Sequence, residues 1–128
     1  MRFLLTICAA VLSLQAENWP MWRGATGVGI TKEKGLPTRW SGTENIAWKT
    51  SLPYRGNSTP IVWGEKIFVT QPLEKEQERA LFCIDRLDGK VLWQRSVKYN
   101  ERERSHRTNP YCSESPATDG KRVIAVYG

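Results

Sequence analysis

Residues 80–97 decide the predicted fold and read Ala-Leu-Phe-Cys-Ile-Asp-Arg-Leu-Asp-Gly-Lys-Val-Leu-Trp-Gln-Arg-Ser-Val. Two runs rich in aliphatic and aromatic residues flank the pair Asp88-Gly89. Such a pair is a strong signal for a β-hairpin, because glycine tolerates a positive φ. Asp85 precedes the turn, where a short carboxylate accepts turn amides, and Trp93 follows it with a large apolar face to bury. The stretch therefore predicts a β-hairpin.

The same residues resemble one repeat of the pyrroloquinoline-quinone-type propeller family. The segment Asp85-x-x-Asp88-Gly89-Lys90-x-x-Trp93 is similar to the family pattern Ala-x-Asp-x-x-Thr-Gly-Lys-x-x-Trp, with an aspartate in place of the threonine. The resemblance implies a four-stranded antiparallel blade whose outermost tryptophan docks against a neighbouring blade. An ordinary hairpin with a buried tryptophan is the alternative that this motif alone leaves open.

A second resemblance lies nearer the N-terminus. Residues 19–29 read Trp-Pro-x-(aromatic)-Arg-Gly-x-x-Gly-x-Gly and residues 35–40 read Gly-Leu-Pro-Thr-x-Trp. Both are similar to the leader of exported quinoprotein-like propellers of bacteria. The three glycines do not indicate a dinucleotide loop, because no strand pattern precedes them and no helical pattern follows. We expect residues 17–44 to form an extended arm on the surface of the main body.

Residues 1–16 have the pattern of a secretory signal peptide. Arg2 is the one charge before a short apolar run, and Ala16 closes the run before Glu17. We expect cleavage after Ala16 and export to the periplasm or the extracellular space. A retained membrane anchor is the alternative, although a spanning helix needs about 20 apolar residues. A lipid-modified Cys8 is rejected, because the residue before it is a bulky isoleucine.

The charge balance excludes few functions. Nineteen basic and thirteen acidic residues give a net charge of +6, and loss of Arg2 with the signal peptide lowers it to +5. A balance of this size favours solubility and weak attraction to anionic surfaces. The chain contains no Gly-x-Ser-x-Gly, no Walker loop and no His-Glu-x-x-His, so a hydrolase or nucleotide enzyme has no support.

Two cysteines, Cys83 and Cys112, remain after signal cleavage. Export permits a disulfide between them. The alternative is that Cys83, which stands where the family pattern has a small residue, acts as a small buried hydrophobe.

Internal correspondences indicate a repeat protein. Trp48 aligns with Trp93, and a second pair of segments aligns at one offset of 56 residues. The residues matched at that offset are Pro60 with Pro116 and Gly64 with Gly120.

The repeats predict an all-β propeller fragment over residues 45–128. One full blade spans residues 58–97, with strands at 59–63, 66–70, 80–85 and 91–97 and a charged loop over 71–79. Residues 46–52 are expected to be a lone outer strand, and residues 115–127 to begin the next blade. Propellers close with four to eight blades. We therefore expect an N-terminal fragment carrying about one and a half blades, with the rest of the ring outside this chain.

The loop between residues 98 and 112 supplies the candidate binding residues, because long loops at blade junctions carry binding groups in propellers. A solvated loop of mixed charge is the alternative, and a single histidine without matching carboxylates does not predict a metal site. The candidates are Arg104, His106, Arg107, Asn109 and Tyr111.

The resemblance implies two possible functions, and a fold does not select between them. The first is a non-catalytic exported scaffold for binding or assembly, with no cofactor and with a protein or cell-envelope partner. The second is a quinoprotein dehydrogenase that uses pyrroloquinoline quinone and calcium. The sequence has neither the adjacent cysteine pair nor the carboxylate cluster that many such dehydrogenases carry, which favours the scaffold. We expect no nucleic-acid partner and no transmembrane segment after signal cleavage.

Overall fold

The computed structural model describes residues 16–99, 104 and 106–127. These residues form an antiparallel four-stranded sheet and a separate two-stranded sheet, and they contain no helix, so the all-β prediction is confirmed. The signal peptide predicted for residues 1–16 lies, except for Ala16, outside the described residues. The strands are β1 Ile61–Trp63, β2 Lys66–Leu73, β3 Glu78–Asp85, β4 Val91–Lys98, β5 Ala117–Thr118 and β6 Val123–Ile124.

The central hairpin is longer than the sequence predicted. The pairing of β2 with β3 continues as far as Leu73 opposite Glu78, so the expected loop over residues 71–79 is mostly strand. The turn itself is confined to residues 74–77, where Gln77 has a φ of 53°. The sequence did not predict this extension, because its polar and charged residues suggested a solvated loop. In the structure, however, Gln71 and Arg79 are buried on the sheet.

Side chains alternate between the two faces of the four-stranded sheet, and each face has its own apolar cluster. We call the first the Trp48 face, where Trp48 and Leu52 pack over buried strand residues. We call the second the Trp93 face, where Trp93 and Val123 pack over another set. The buried residues are Val69, Leu73, Ala80, Phe82 and Ile84 on the Trp48 face, and Ile61, Phe68 and Cys83 on the Trp93 face.

Residues 46–52 cover the Trp48 face with their side chains. Trp48 and Leu52 are partly buried against its cluster. Within the described residues no strand is assigned to this segment and no strand pairs with it. The strand expected there is a lone outer strand whose partners would lie outside this chain, so it stays a prediction.

The arm joins the two sheets. Trp19 exchanges two backbone hydrogen bonds with Val62, at 2.8 and 2.9 Å, so the arm runs along the free edge of β1. The amide of Thr118 in β5 donates to the carbonyl of Pro20 at 2.8 Å. One short segment of the arm thus pairs with the first sheet and with the second.

Short turns close both hairpins that contain an Asp-Gly pair. In the turn between β3 and β4, the Asp85 carboxylate accepts the amides of Leu87 and Asp88 at 2.7 and 3.3 Å. In the turn between β5 and β6, the Asp119 carboxylate accepts the amides of Lys121 and Arg122. The hydrogen bond from the Arg122 amide lowers the pKa of the Asp119 carboxyl most, and that from the Lys121 amide lowers it next. The aspartates therefore serve the backbone of the turns.

Candidate functional site

The indole of Trp48 lies directly on the turn between β3 and β4. Its Nε1 donates to the carbonyl of Arg86 at 2.9 Å, and the Thr50 hydroxyl donates to the carbonyl of Gly89. A Cβ built on Gly89 would lie 2.4 Å from the Trp48 ring, and Gly89 has a φ of 75°. Both the contact distance and the backbone conformation therefore require glycine at this position.

A similar contact joins the two sheets. A Cβ built on Gly120, in the turn between β5 and β6, would lie 2.4 Å from the ring of Trp63 at the end of β1. Gly120 has a φ of 85°. A third contact of this kind lies within the arm, where a Cβ built on Gly24 would lie 2.8 Å from the ring of Trp19. In each case a flat aromatic face packs on a stretch of backbone that carries no side chain.

Trp93 contacts the sheet on which it stands. Its ring centroid is 5.9 Å from that of Phe68, and the Arg95 guanidinium lies 5.8 Å from its centre. Beside it a groove of about 450 Å³ opens between the Trp93 face and the β5–β6 hairpin. Its lining includes the aromatic residues Trp63, Phe68 and Trp93 and the cations Lys66, Arg95 and Lys121.

The two proline positions matched by the repeat both precede a strand. Pro60 comes directly before β1, and Pro116, which is fully buried, comes directly before β5. Proline has no amide hydrogen to leave unpaired at a strand start. Around them, the amide of Thr59 donates to the Ser115 hydroxyl at 3.0 Å, which links the start of one sheet to the start of the other.

The loop candidates do not gather into one site. His106 and Asn109 close a tight turn, in which the Asn109 amide donates to the His106 carbonyl at 2.8 Å. The imidazole accepts the amide of Thr108 at 3.3 Å. Arg104 and Arg107 are exposed. Residues 100–103 and 105 lie outside the described residues.

Tyr111 belongs to a cluster that the sequence did not reveal. The Arg79 side chain is only 5% exposed, and its guanidinium carbon lies 4.7 Å from the centre of the Tyr99 ring and 4.4 Å from that of Tyr111. A guanidinium between two aromatic faces is held by cation–π attraction. Arg79 therefore connects β3 to both ends of the loop between residues 98 and 112. The two tyrosines at the ends of the loop could have indicated an aromatic cluster. The charged residues near Arg79 instead suggested a solvated loop.

Cys83 and Cys112 are both buried, and no disulfide joins the two. Burial raises the pKa of the Cys83 thiol. Cys83 packs with Ile61 and Phe68 in the cluster of the Trp93 face, so it occupies the place of a small apolar residue there. Of the two alternatives that the sequence left open, the structure favours the buried hydrophobe.

Neither a metal centre nor a membrane span is found in the described part of the chain. Among the described residues, no three His, Cys, Asp or Glu side chains are grouped as ligands. None of the described segments forms a helix of the length and apolarity that crossing a bilayer requires. A scan against models of known protein families and searches of curated proteins and of solved structures found no match to this chain.

The contact of Trp48 with Gly89 predicts a large effect of Gly89→Ala. A positive φ costs a residue with a side chain roughly 1–2 kcal/mol, and crowding a packed contact adds about 1–3 kcal/mol. We expect Gly89→Ala to lower the free energy of unfolding by about 2–5 kcal/mol in urea titration. Gly64→Ala is the matched control, because Gly64 has a φ of 56° with nothing within 4 Å of the added Cβ. Equal losses in the two variants would contradict the importance of the ring contact.

The position of Arg79 predicts that Arg79→Lys loosens the loop between residues 98 and 112. An ammonium lacks the planar face that stacks between two rings, and each cation–π contact contributes about 0.5–2 kcal/mol. We expect faster hydrogen exchange at the Tyr99 amide, which donates to the Gln77 carbonyl at 2.8 Å. Arg95→Lys, at an exposed arginine on the neighbouring strand, serves as the control and should leave that rate unchanged. An unchanged rate in Arg79→Lys would show that the stack does not hold the loop.

Proposed function

We propose that this chain supplies consecutive blades of an exported β-propeller that acts as a binding or assembly scaffold. The contact between Trp48 and the turn from Asp85 to Lys90 carries the proposal. Trp48 precedes the four-stranded sheet in the chain, yet its indole covers the turn that closes the last hairpin of that sheet. A β-propeller needs contacts between neighbouring blades, because each blade buries its face against the next.

The cover on both faces of the four-stranded sheet also supports the proposal. The segment before the sheet packs on the Trp48 face, and the hairpin after it contributes Val123 to the Trp93 face. Consecutive units therefore stack in chain order. Trp93 corresponds to Trp48 in the repeat, so in the proposed ring it packs on the turn of a following blade. The groove beside Trp93 is the space where that blade lies in the proposal.

Two kinds of contact support the scaffold over a dehydrogenase that uses pyrroloquinoline quinone and calcium. The backbone of Gly89 packs on Trp48 and that of Gly120 packs on Trp63, so both rings make contacts within the fold. The carboxylate of Asp85 accepts turn amides and so serves the backbone. These contacts favour the scaffold in our proposal.

A cofactor titration separates the two functions. The full-length exported parent, which carries the rest of the proposed ring, is purified from its own compartment, mixed with the quinone and calcium, dialysed, and assayed for quinone absorbance and for dye reduction with alcohols and sugars. We expect neither retained quinone nor dye reduction. An authentic quinoprotein dehydrogenase carried through the same steps is the positive control. Retention of the quinone together with oxidation of an alcohol or sugar would replace the scaffold by the dehydrogenase.

The coding sequence tests the ring. We expect the reading frame of the natural gene to carry, beyond residue 128, further copies of Asp-x-x-(Thr/Asp)-Gly-Lys-x-x-Trp at intervals of roughly 45 residues, the blade length of propellers. Each copy supplies both a turn glycine and a tryptophan for the adjoining blade. A frame without such copies would contradict the propeller, whatever the outcome of the cofactor titration.

A further inference from the structure

Glu17 is held by a cluster of hydrogen bonds at the start of the arm. Its backbone nitrogen donates to the Glu33 carboxylate at 2.5 Å. Its own carboxylate accepts the Thr31 hydroxyl at 2.5 Å and the Lys32 amide at 3.1 Å. The Thr31 hydroxyl in turn accepts the amide of Glu33 at 3.1 Å. We call these three hydrogen-bonded partners of Glu17, residues 31–33, the Glu17 clamp.

Among the described residues, the hydrogen-bonded part of the arm starts at Glu17. Directly after Glu17, the Asn18 carboxamide oxygen accepts the Gly64 amide at 2.6 Å, and Trp19 pairs with β1. Ala16, directly before it, is exposed. Within the described residues, the hydrogen bonds of the arm therefore start on the C-terminal side of the bond between Ala16 and Glu17. The signal-peptide pattern, which rests on different residues, predicts cleavage of the same bond.

We propose that cleavage after Ala16 creates an α-ammonium group on Glu17 and that the Glu33 carboxylate is its docking site. Hydrolysis of the peptide bond adds one water, leaves a carboxylate on Ala16 and frees the Glu17 amine, which takes up a proton at neutral pH. The donor that now reaches Glu33 as a neutral amide then reaches it as a cation. The ammonium adds an attraction between opposite charges to a hydrogen bond in which only the carboxylate is ionised. Processing therefore tightens the attachment of the arm.

The charges around the clamp are consistent with an added cation. The Glu33 carboxylate accepts the Glu17 amide, and the Glu17 carboxylate accepts the Thr31 hydroxyl, so two acidic side chains lie at the start of the arm. The Thr31 hydroxyl, followed by the Lys32 amide, holds the pKa of the Glu17 carboxyl below its ordinary value, so that group stays ionised. Arg86 lines the hollow beside the clamp and donates to the Gly64 carbonyl at 3.3 Å. This inference goes beyond the proposed scaffold and does not depend on the number of blades.

The first measurement identifies the processed end. The full chain is expressed with its own residues 1–16 in an exporting bacterium, and the exported protein is analysed by N-terminal sequencing and intact mass. We expect Glu17 as the first residue. A chain that stays in the cytoplasm, or one that begins at another residue, would overturn the proposal.

The second measurement tests the docking. The exported protein reacts at neutral pH with an amine-acylating reagent, and peptide mass spectrometry follows the α-amino group. We expect this group to react about tenfold more slowly than in Glu33→Gln, because an ion pair withholds the unprotonated, nucleophilic amine. Glu33→Asp, which keeps the charge and shortens the reach, should give an intermediate rate. Equal rates in the three proteins would overturn the docking.

Two controls exclude other causes. Glu44→Gln changes an exposed glutamate of the same arm and should leave the rate unchanged. A chain that begins at Ala16 moves the α-amino group one residue away from Glu33 and should react at the fast rate. Circular dichroism of every variant checks that the sheets are intact, so a general loss of structure is distinguished from loss of the ion pair. A slow rate in the chain that begins at Ala16 would count against Glu33 as the partner.

Discussion

The structure depends on the close approach of aromatic rings to backbone that has no side chain. Trp48 on Gly89 and Trp63 on Gly120 each bring a flat apolar face to a distance that any Cβ would prevent. In both pairs the ring comes earlier in the chain than the turn that carries the glycine. The contact of Trp48 with Gly89 therefore holds residues 46–52 on the four-stranded sheet, and that of Trp63 with Gly120 joins the two sheets.

The arm adds a backbone connection to these ring contacts. The free edge of β1 would otherwise expose unpaired amides and carbonyls, which is a liability in any sheet. Trp19 covers part of that edge, and Pro20 accepts a hydrogen bond from β5. The arm segment that contains Trp19 and Pro20 belongs to neither sheet. Its backbone hydrogen bonds thus connect the four-stranded sheet to the small sheet of two-residue strands.

Polar side chains in this protein mainly serve the structure. Asp85 and Asp119 accept turn amides, and Arg79 lies between two tyrosines with 5% of its surface exposed. Burying a guanidinium is costly unless its charge is compensated, and the two aromatic faces contribute that compensation. These side chains therefore fix the turns and the loop between residues 98 and 112.

The sequence by itself determined the all-β class, the Asp-Gly hairpin from β3 to β4 and the glycine positions of the turns. These features depend on neighbouring residues, since turn chemistry and alternation act over a few positions. It did not determine the strands across residues 71–79 or the stack on Arg79. Polar residues such as Gln71 belong to the sheet there because the sheet buries them. Arg79 is buried because Tyr99 and Tyr111, which come later in the chain, lie against it. Only the tertiary structure brings such partners together or keeps them apart.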